Sequence, residues 1–256
     1  MRKLTSCFVA VAAAASIQIA SAADMPVKAP ILAPAWSWSG LYLGVNGGYG
    51  WGHADHDFAV GGSGFGGANL FSPDAAGGSF SQNMDGAVFG LHLGVNQQWS
   101  NWVVGIEGSF DWSDIKGSST DVFAPTVGAT TTYDTKVKWF ATITPRVGYS
   151  WANWLAYAKA GIAAARVSSN LSSSLAVAPC PCTFSRDQDH LGWTVGGGVE
   201  YAWTNNIIVG VDYNYYDLGS RTYGGETVPN TTWPVQYSLH PTFSTVLARI
   251  SYKFGS

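Results

Sequence analysis

Apolar and polar residues alternate with a period of two in eight stretches: residues 41–51, 87–99, 103–112, 137–149, 155–165, 191–203, 208–216 and 245–254. Period two marks a strand whose two faces meet different surroundings. In the first stretch Leu41, Leu43, Val45, Tyr49 and Trp51 share one face, while Tyr42, Gly44, Asn46, Gly48 and Gly50 share the other. The third sets Val104, Ile106, Phe110 and Trp112 against Gly105, Glu107, Ser109 and Asp111. The last sets Val246, Ala248, Ile250, Tyr252 and Phe254 against Thr245, Arg249, Ser251 and Lys253. One face is greasy and the other small or polar. Alternation is weakest in the fifth stretch, where alanine occupies both faces. Each stretch has the roughly nine or more residues that a tilted strand needs to cross a bilayer.

The links between the stretches carry an independent signal. The second, fourth and sixth are only Ser100-Asn101, Ala152-Asn153 and Thr204-Asn205-Asn206. The other four, residues 53–84, 113–135, 167–189 and 219–242, are long and rich in Gly, Ser, Thr or Asn. In an antiparallel meander this places every long link at one end and both termini at the other. The pattern predicts an all-β fold, an eight-stranded antiparallel up-and-down transmembrane β-barrel, in the arrangement of the bacterial outer membrane.

Tryptophans mark the short-turn end: Trp99-Ser-Asn-Trp102, Trp151-Ala-Asn-Trp154 and Trp203-Thr-Asn-Asn206. An indole has an apolar body and a polar tip, so it favours the headgroup level of a membrane. Trp99, Trp102, Trp151, Trp154 and Trp203 are therefore expected to form one aromatic girdle. Trp51, Phe110, Trp112, Trp139, Trp193, Tyr213 and Tyr215 are expected to form the opposite one. A soluble eight-stranded barrel would need the greasy face inside, and so many bulky rings would overfill it.

Composition narrows the reading. The chain is 46% apolar but only 11% charged, with 31 Gly, which argues against disorder, against a helical fold and against an ordinary soluble enzyme. Lys and Arg total 13 against 16 Asp and Glu, with no basic block, so nucleic acid is excluded as a partner. Residues 1–23 read as a secretory signal peptide: Arg2 and Lys3, an Ala/Val-rich stretch over residues 4–20, and small residues at Ala20-Ser21-Ala22-Ala23. Its removal leaves 11 basic and 16 acidic residues and a formal charge of -5. Residues 24–39, with Pro26, Pro30 and Pro34, are expected to form a mobile periplasmic tail, and residues 40–256 the barrel.

Charges on the expected inner face converge. Glu107, Arg146, Lys159, Glu200, Asp212 and Arg249 fall near one depth, counted from the short turns. Arg146 and Lys159 sit on neighbouring strands between Glu107 and Glu200, and the last hairpin brings Asp212 near Arg249. Two readings stand: a paired network that holds the lumen shut, or a narrow hydrated eyelet lined by opposed charges. In the second, Asp111, Lys138 and Lys253 are secondary lining charges.

Three segments carry a resemblance. Trp36-Ser-Trp-Ser-Gly-Leu-Tyr-Leu-Gly-Val-Asn-Gly-Gly-Tyr-Gly-Trp51, Gly192-Trp-Thr-Val-Gly-Gly-Gly-Val-Glu-Tyr-Ala-Trp203 and Val211-Asp-Tyr-Asn-Tyr-Tyr-Asp-Leu-Gly219 resemble the small alphaproteobacterial porin-family outer-membrane proteins of the immunogenic type. The likeness spans nearly the whole mature chain, to the closing Ile250-Ser-Tyr-Lys-Phe254. It implies an eight-stranded barrel with surface-exposed loops, associated with envelope integrity, surface antigenicity and, in some members, solute passage or haemin binding. Gly255 and Ser256 depart from the usual aromatic end of an outer-membrane chain. Cys180-Pro-Cys182 is not a family feature.

Other constellations are weaker. Gly62-Ser-Gly-Phe-Gly-Gly67 matches a dinucleotide fingerprint by letters only, with no helix pattern after it, so no cofactor is expected. Cys180 and Cys182 are a candidate loop disulfide, strained by the single intervening residue. His53, His56, His190 and His240 fall in or beside long links, with His53-Ala-Asp-His56 nearest a ligand spacing, but no metal site is assigned. His92, Ser109 and Asp111 all face the lumen and lack a nucleophile motif, so no enzyme activity is expected. The expectation is an integral outer-membrane barrel with a structural and surface-exposed envelope role, a narrow passive porin-like channel being a further reading of the same lumen. Its rival is a surface binding protein or adhesin for a haem, host or phage ligand, acting through the long links. Expected partners are outer-membrane lipid, lipopolysaccharide and the barrel-assembly machinery, and the barrel is expected to be a monomer.

Overall fold

The computed structural model describes residues 36–58, 79–123, 129–173, 182–227 and 234–255. The strands are β1 (Gly40–Phe58), β2 (Ser79–Trp99), β3 (Trp102–Phe123), β4 (Ala129–Trp151), β5 (Trp154–Ser173), β6 (Cys182–Ala202), β7 (Ile207–Asp217), β8 (Arg221–Thr227) and β9 (Pro234–Lys253). Each pairs antiparallel with its neighbour, and β1 pairs with β9 from Tyr42↔Lys253 to Phe58↔Tyr237, which closes the ring. β7 and β8 both run along β9, so they are two parts of one interrupted strand and the ring has eight staves. Ring closure leaves no sheet edge in the bilayer, where an unpaired backbone group is costly.

The strands are much longer than the alternation predicts. Strand runs from both sides into each of the four links expected at residues 53–84, 113–135, 167–189 and 219–242, and the ladders of β3 and β4 run out to Phe123↔Ala129. The reason lies in a reversal of phase. Along β2, Phe89, Leu91 and Leu93 point out, but farther up Ser79, Ser81, Asn83 and Asp85 take the outward positions and Met84 turns inward. Beyond the membrane the outside meets water and the inside becomes the greasy face, so a template with the greasy face outside loses these residues.

Two local features shape the sheet. Between Val137 and Trp139 the register of β4 against β5 shifts by one residue, a β-bulge. At the end of β7, Gly219 adopts φ +62, a left-handed conformation that suits glycine, and swings β8 away from β6. The β6–β7 ladder stops at Trp193↔Asp217, and among the described residues no ladder joins β6 to β8 beyond it. Side chains span that seam instead: Gln188 Nε2 donates to the Thr222 carbonyl at 3.0 Å, and His190 lies 2.9 Å from the Tyr223 hydroxyl.

Candidate functional site: the filled lumen

Every second residue of each stave points inward, and side chains occupy the lumen in three layers. At the short-turn end Trp38 is buried with Val103, Leu155, Tyr157, Ala202 and Ile208, and Trp36 packs against this cluster. The expected tail therefore ends earlier than residue 39. Trp38 N–H donates to Gln98 Oε1 at 2.7 Å, Gln98 N–H donates to Ser39 Oγ at 2.9 Å, and the Trp36 and Trp38 rings meet edge to face at 5.8 Å. Bulky aromatics find apolar surface here that an extended tail would not offer. Lys253, expected as a lining charge, sits 4.5 Å from the centre of the Trp36 ring. The expected signal peptide and residues 24–35 lie outside the described residues.

Above this cluster the six lumen charges come together. Arg146 reaches Glu107 at 3.2 Å and Glu200 at 2.7 Å; Lys159 reaches Glu107 at 3.0 Å and Asp212 at 2.8 Å. Arg249 reaches Glu107 at 2.5 Å and Asp212 at 2.8 Å. All six side chains are at most 9% exposed. Glu107 is the hub, in contact with all three bases. Its position answers a problem set by the register: Arg146 and Lys159 are direct cross-strand partners, and like charges so placed repel unless an anion spans them.

Two tyrosines complete the layer, and sequence reasoning missed their role. Tyr42 donates to Glu107 at 2.8 Å and accepts from Arg146 at 3.0 Å; Tyr157 accepts from Arg249 at 2.9 Å. The Arg146 guanidinium also lies 3.9 Å from the centre of the Tyr157 ring. The available signal was phase: both tyrosines occupy inward positions on strands whose other aromatics face out. Beside them runs a neutral-to-acidic chain in which Asn46 donates to Asp111 at 2.5 Å, Ser109 donates to Asp111 at 3.0 Å, and His92 lies 2.7 Å from Ser251 Oγ and 3.2 Å from Asn46 Oδ1.

The third layer is apolar and was not expected. Phe140, Tyr216 and Phe243 stack within 5.3 Å of one another, with Val88, Ile115, Val137, Leu218, Leu239 and Leu247 in the same buried cluster. Lys138 is a correction to the inner-face assignment. The bulge turns Val137 inward and Lys138 outward, where Lys138 pairs with Asp187 at 2.7 Å. The histidine pair is corrected as well, since His53 and His56 lie in β1 rather than in a link. Three residues of strand put them on opposite faces: His56 is buried, stacked on Phe80 at 4.5 Å, while the His53 side chain is half exposed. Among the described residues no three His, Cys, Asp or Glu side chains are grouped as a metal would need. The glycine-rich segment 62–67 and Cys180 lie outside the described residues, so the Cys180–Cys182 pairing does too, Cys182 opening β6.

On the outer surface Trp99, Trp102, Trp151, Trp154 and Trp203 are all exposed at the short-turn end, and Trp51, Phe110, Trp112, Trp193 and Tyr213 at the other belt. Between the belts the exposed residues are Leu43, Val45, Leu91, Leu93, Val95, Ile106, Ile143, Val199, Val211 and Ile250, a lipid-facing band.

Comparison with known proteins agrees with this geometry. The family model of the outer membrane protein beta-barrel domain matches residues 7–254. The 31 kDa outer-membrane immunogenic protein of Brucella melitensis is 34% identical over 92% of this chain and 93% of its own length. The 22 kDa outer membrane protein of Rhizobium leguminosarum bv. viciae is 30% identical over 79% of this chain and 72% of its own. In fold alone the chain is similar to the outer membrane protease OmpT from Escherichia coli, with a TM-score of 0.52 at 10% identity, over 84% of this chain and 97% of that one. An eight-stave ring, two aromatic belts, a lipid-facing band and these relatives lead to one conclusion: the chain belongs to the outer-membrane β-barrel family and resides in the outer membrane.

Proposed function

We propose that this protein is a non-enzymatic structural barrel of the envelope, with a closed lumen and a rigid extension presented at the cell surface. The observation that carries the reading is the stacking of three side-chain layers along one axis. A hydrated eyelet needs its charges to face water, whereas the Nη groups of Arg146 and Arg249 are turned to Glu107, Glu200 and Asp212, between a tryptophan-led cluster and an aromatic one. In this reading outer-membrane lipid meets the barrel along both belts, with lipopolysaccharide at the extracellular one. The barrel-assembly machinery inserts it, and it works as a monomer.

Planar-bilayer recording of residues 24–256 tests the closure. The expected result is insertion without steady conductance, in the parent and in Arg146→Ala alike. Steady conductance in the parent that Arg146→Ala alters would overturn the reading in favour of a passive channel.

A second reading, surface binding, draws on the extension itself. The β3–β4 ladder continues from Trp112↔Trp139 to Phe123↔Ala129, well past the belt, and the Brucella relative is named as immunogenic. Ligand capture there would not need an open lumen. Haemin binding that His53→Ala weakens would support it; a spectrum unmoved by haemin would count against it.

A further inference from the structure

We propose that the outward faces of β3, β4 and β5, just beyond the extracellular aromatic belt, bind the phosphate groups of an outer-leaflet glycolipid through Lys116, Lys136, Lys138 and Arg166. The inference rests on the reading above that lipopolysaccharide meets the extracellular belt, assigns the residues that hold it, and stands whether the lumen is closed or open.

The first observation is where the bases lie. Arg146, Lys159, Arg249 and Lys253 turn into the lumen; of the six other bases among the described residues, Arg186 lies on β6 and Arg221 on β8, while Lys116, Lys136, Lys138 and Arg166 point outward within three adjacent strands. The outward faces of β1 and β2 carry Asp55, Asp57 and Asp85 there and, among the described residues, no Lys or Arg. The second is depth. Lys138 adjoins Trp139, Arg166 is the cross-strand partner of Trp139 with its guanidinium 5.9 Å from that ring, and Lys136 is three residues farther, roughly 10 Å along the strand. That is the headgroup level of the leaflet the belt marks.

The third observation is local construction. Lys116 and Lys136 are direct cross-strand partners, a like-charge pair that is unfavourable unless an anion lies across it. Asp114 does this in the protein alone, accepting from Lys116 at 3.0 Å and from Lys136 at 2.7 Å. The bulge then re-aims Lys138 out of the lumen phase and into the same patch. In their ion pairs the four bases share three carboxylates, Asp114, Asp187 and Asp189. These side chains are 41% or more exposed, so solvent screens each pair and holds it only weakly. A phosphate monoester, with more charge and more acceptor oxygens than a carboxylate, displaces such a partner.

The test uses the full chain in detergent, in EDTA so that no divalent metal bridges lipid to carboxylate. Native mass spectrometry titrates it with bisphosphorylated lipid A and with the dephosphorylated form. The expected result is a preference of about tenfold for the phosphorylated lipid, lost in Lys116→Gln/Lys136→Gln/Lys138→Gln. Asp55→Asn/Asp57→Asn/Asp85→Asn, on the opposite sector, keeps that preference. Heat-modifiable gel mobility verifies that each variant is folded. Equal affinity for the two lipids, an unchanged preference in the triple lysine variant, or complete displacement by equimolar inorganic phosphate would each overturn the proposal.

Discussion

Glu107 Oε2 and Arg249 Nη2 lie 2.5 Å apart across the lumen, although 142 residues separate them in the chain and two strands, β1 and β2, separate them around the ring. Ladder hydrogen bonds tie each strand only to its neighbours. This pair ties opposite walls, and with Arg146 and Lys159 on the same carboxylate it makes Glu107 a strut for the whole cross-section.

Removing that strut leaves three buried bases facing two acids. Glu107→Gln is expected to cost about 3–5 kcal/mol, the range for an orphaned buried charge. Glu200→Gln, which weakens a two-pronged pair with Arg146 at 2.7 and 3.2 Å and a contact with Arg249 at 3.9 Å but leaves Glu107 bridging all three bases, is expected to cost less. Urea midpoints of the lipid-inserted proteins measure both, and equal midpoints for parent and Glu107→Gln would contradict the account.

Phe140 tests the upper layer. It is fully buried between Tyr216 and Phe243, so Phe140→Ala opens a cavity and is expected to lower stability by about 3–5 kcal/mol. Phe89→Ala, on the lipid-facing side, removes an exposed ring and should cost far less in the same unfolding assay.

His56 makes the extension sensitive to acid. Burial pushes its pKa down from the ordinary 6.5 to about 4, against the smaller upward pull of the Ala54 carbonyl, Asp55 and Asp57. The unfolded chain therefore takes up a proton that the folded one refuses. Stability is full above about pH 6.5 and falls as the pH drops toward 4, by roughly 3 kcal/mol in all. His56→Gln should flatten this slope, and an identical pH profile in parent and variant would exclude His56 as its source.

The seam between β6 and β8 should be visible to hydrogen exchange. Below Trp193↔Asp217 every stave has a ladder on both sides, whereas β6 above it is laddered, among the described residues, only to β5. Amides of residues 193–202 are expected to be uniformly protected, and those of residues 185–192 to alternate between protected and fast. Uniform protection across both segments would mean that a backbone ladder closes the seam in solution.

Much of this was legible in the sequence, for a physical reason. Between the belts the outside is hydrocarbon and the inside polar, so Leu41, Tyr42 and their successors announce their faces one by one. Glu107 and Arg249 could be set at one depth because short turns fix register. Legibility failed where one of those conditions lapsed. Ile115, Val137 and Leu239 are inward apolar residues above the belt, where the greasy face changes sides. Lys138 reads as inward because a bulge adds one residue that no period-two count detects. Trp38 reads as tail because nothing local shows that a non-local cavity awaits it.

Trp38 also fixes an order of events. The surface it rests on is assembled from β3, β5, β6 and β7, and those strands face one another only after the sheet has curled and β1 has met β9. Contacts so distant in the chain repay their loop-closure cost late. The residue encoded just ahead of the first strand is thus expected to be seated after the final one, so that the beginning of the barrel waits on its end. Emission from Trp38 should accordingly report completion: its shift follows β1–β9 pairing and never precedes it.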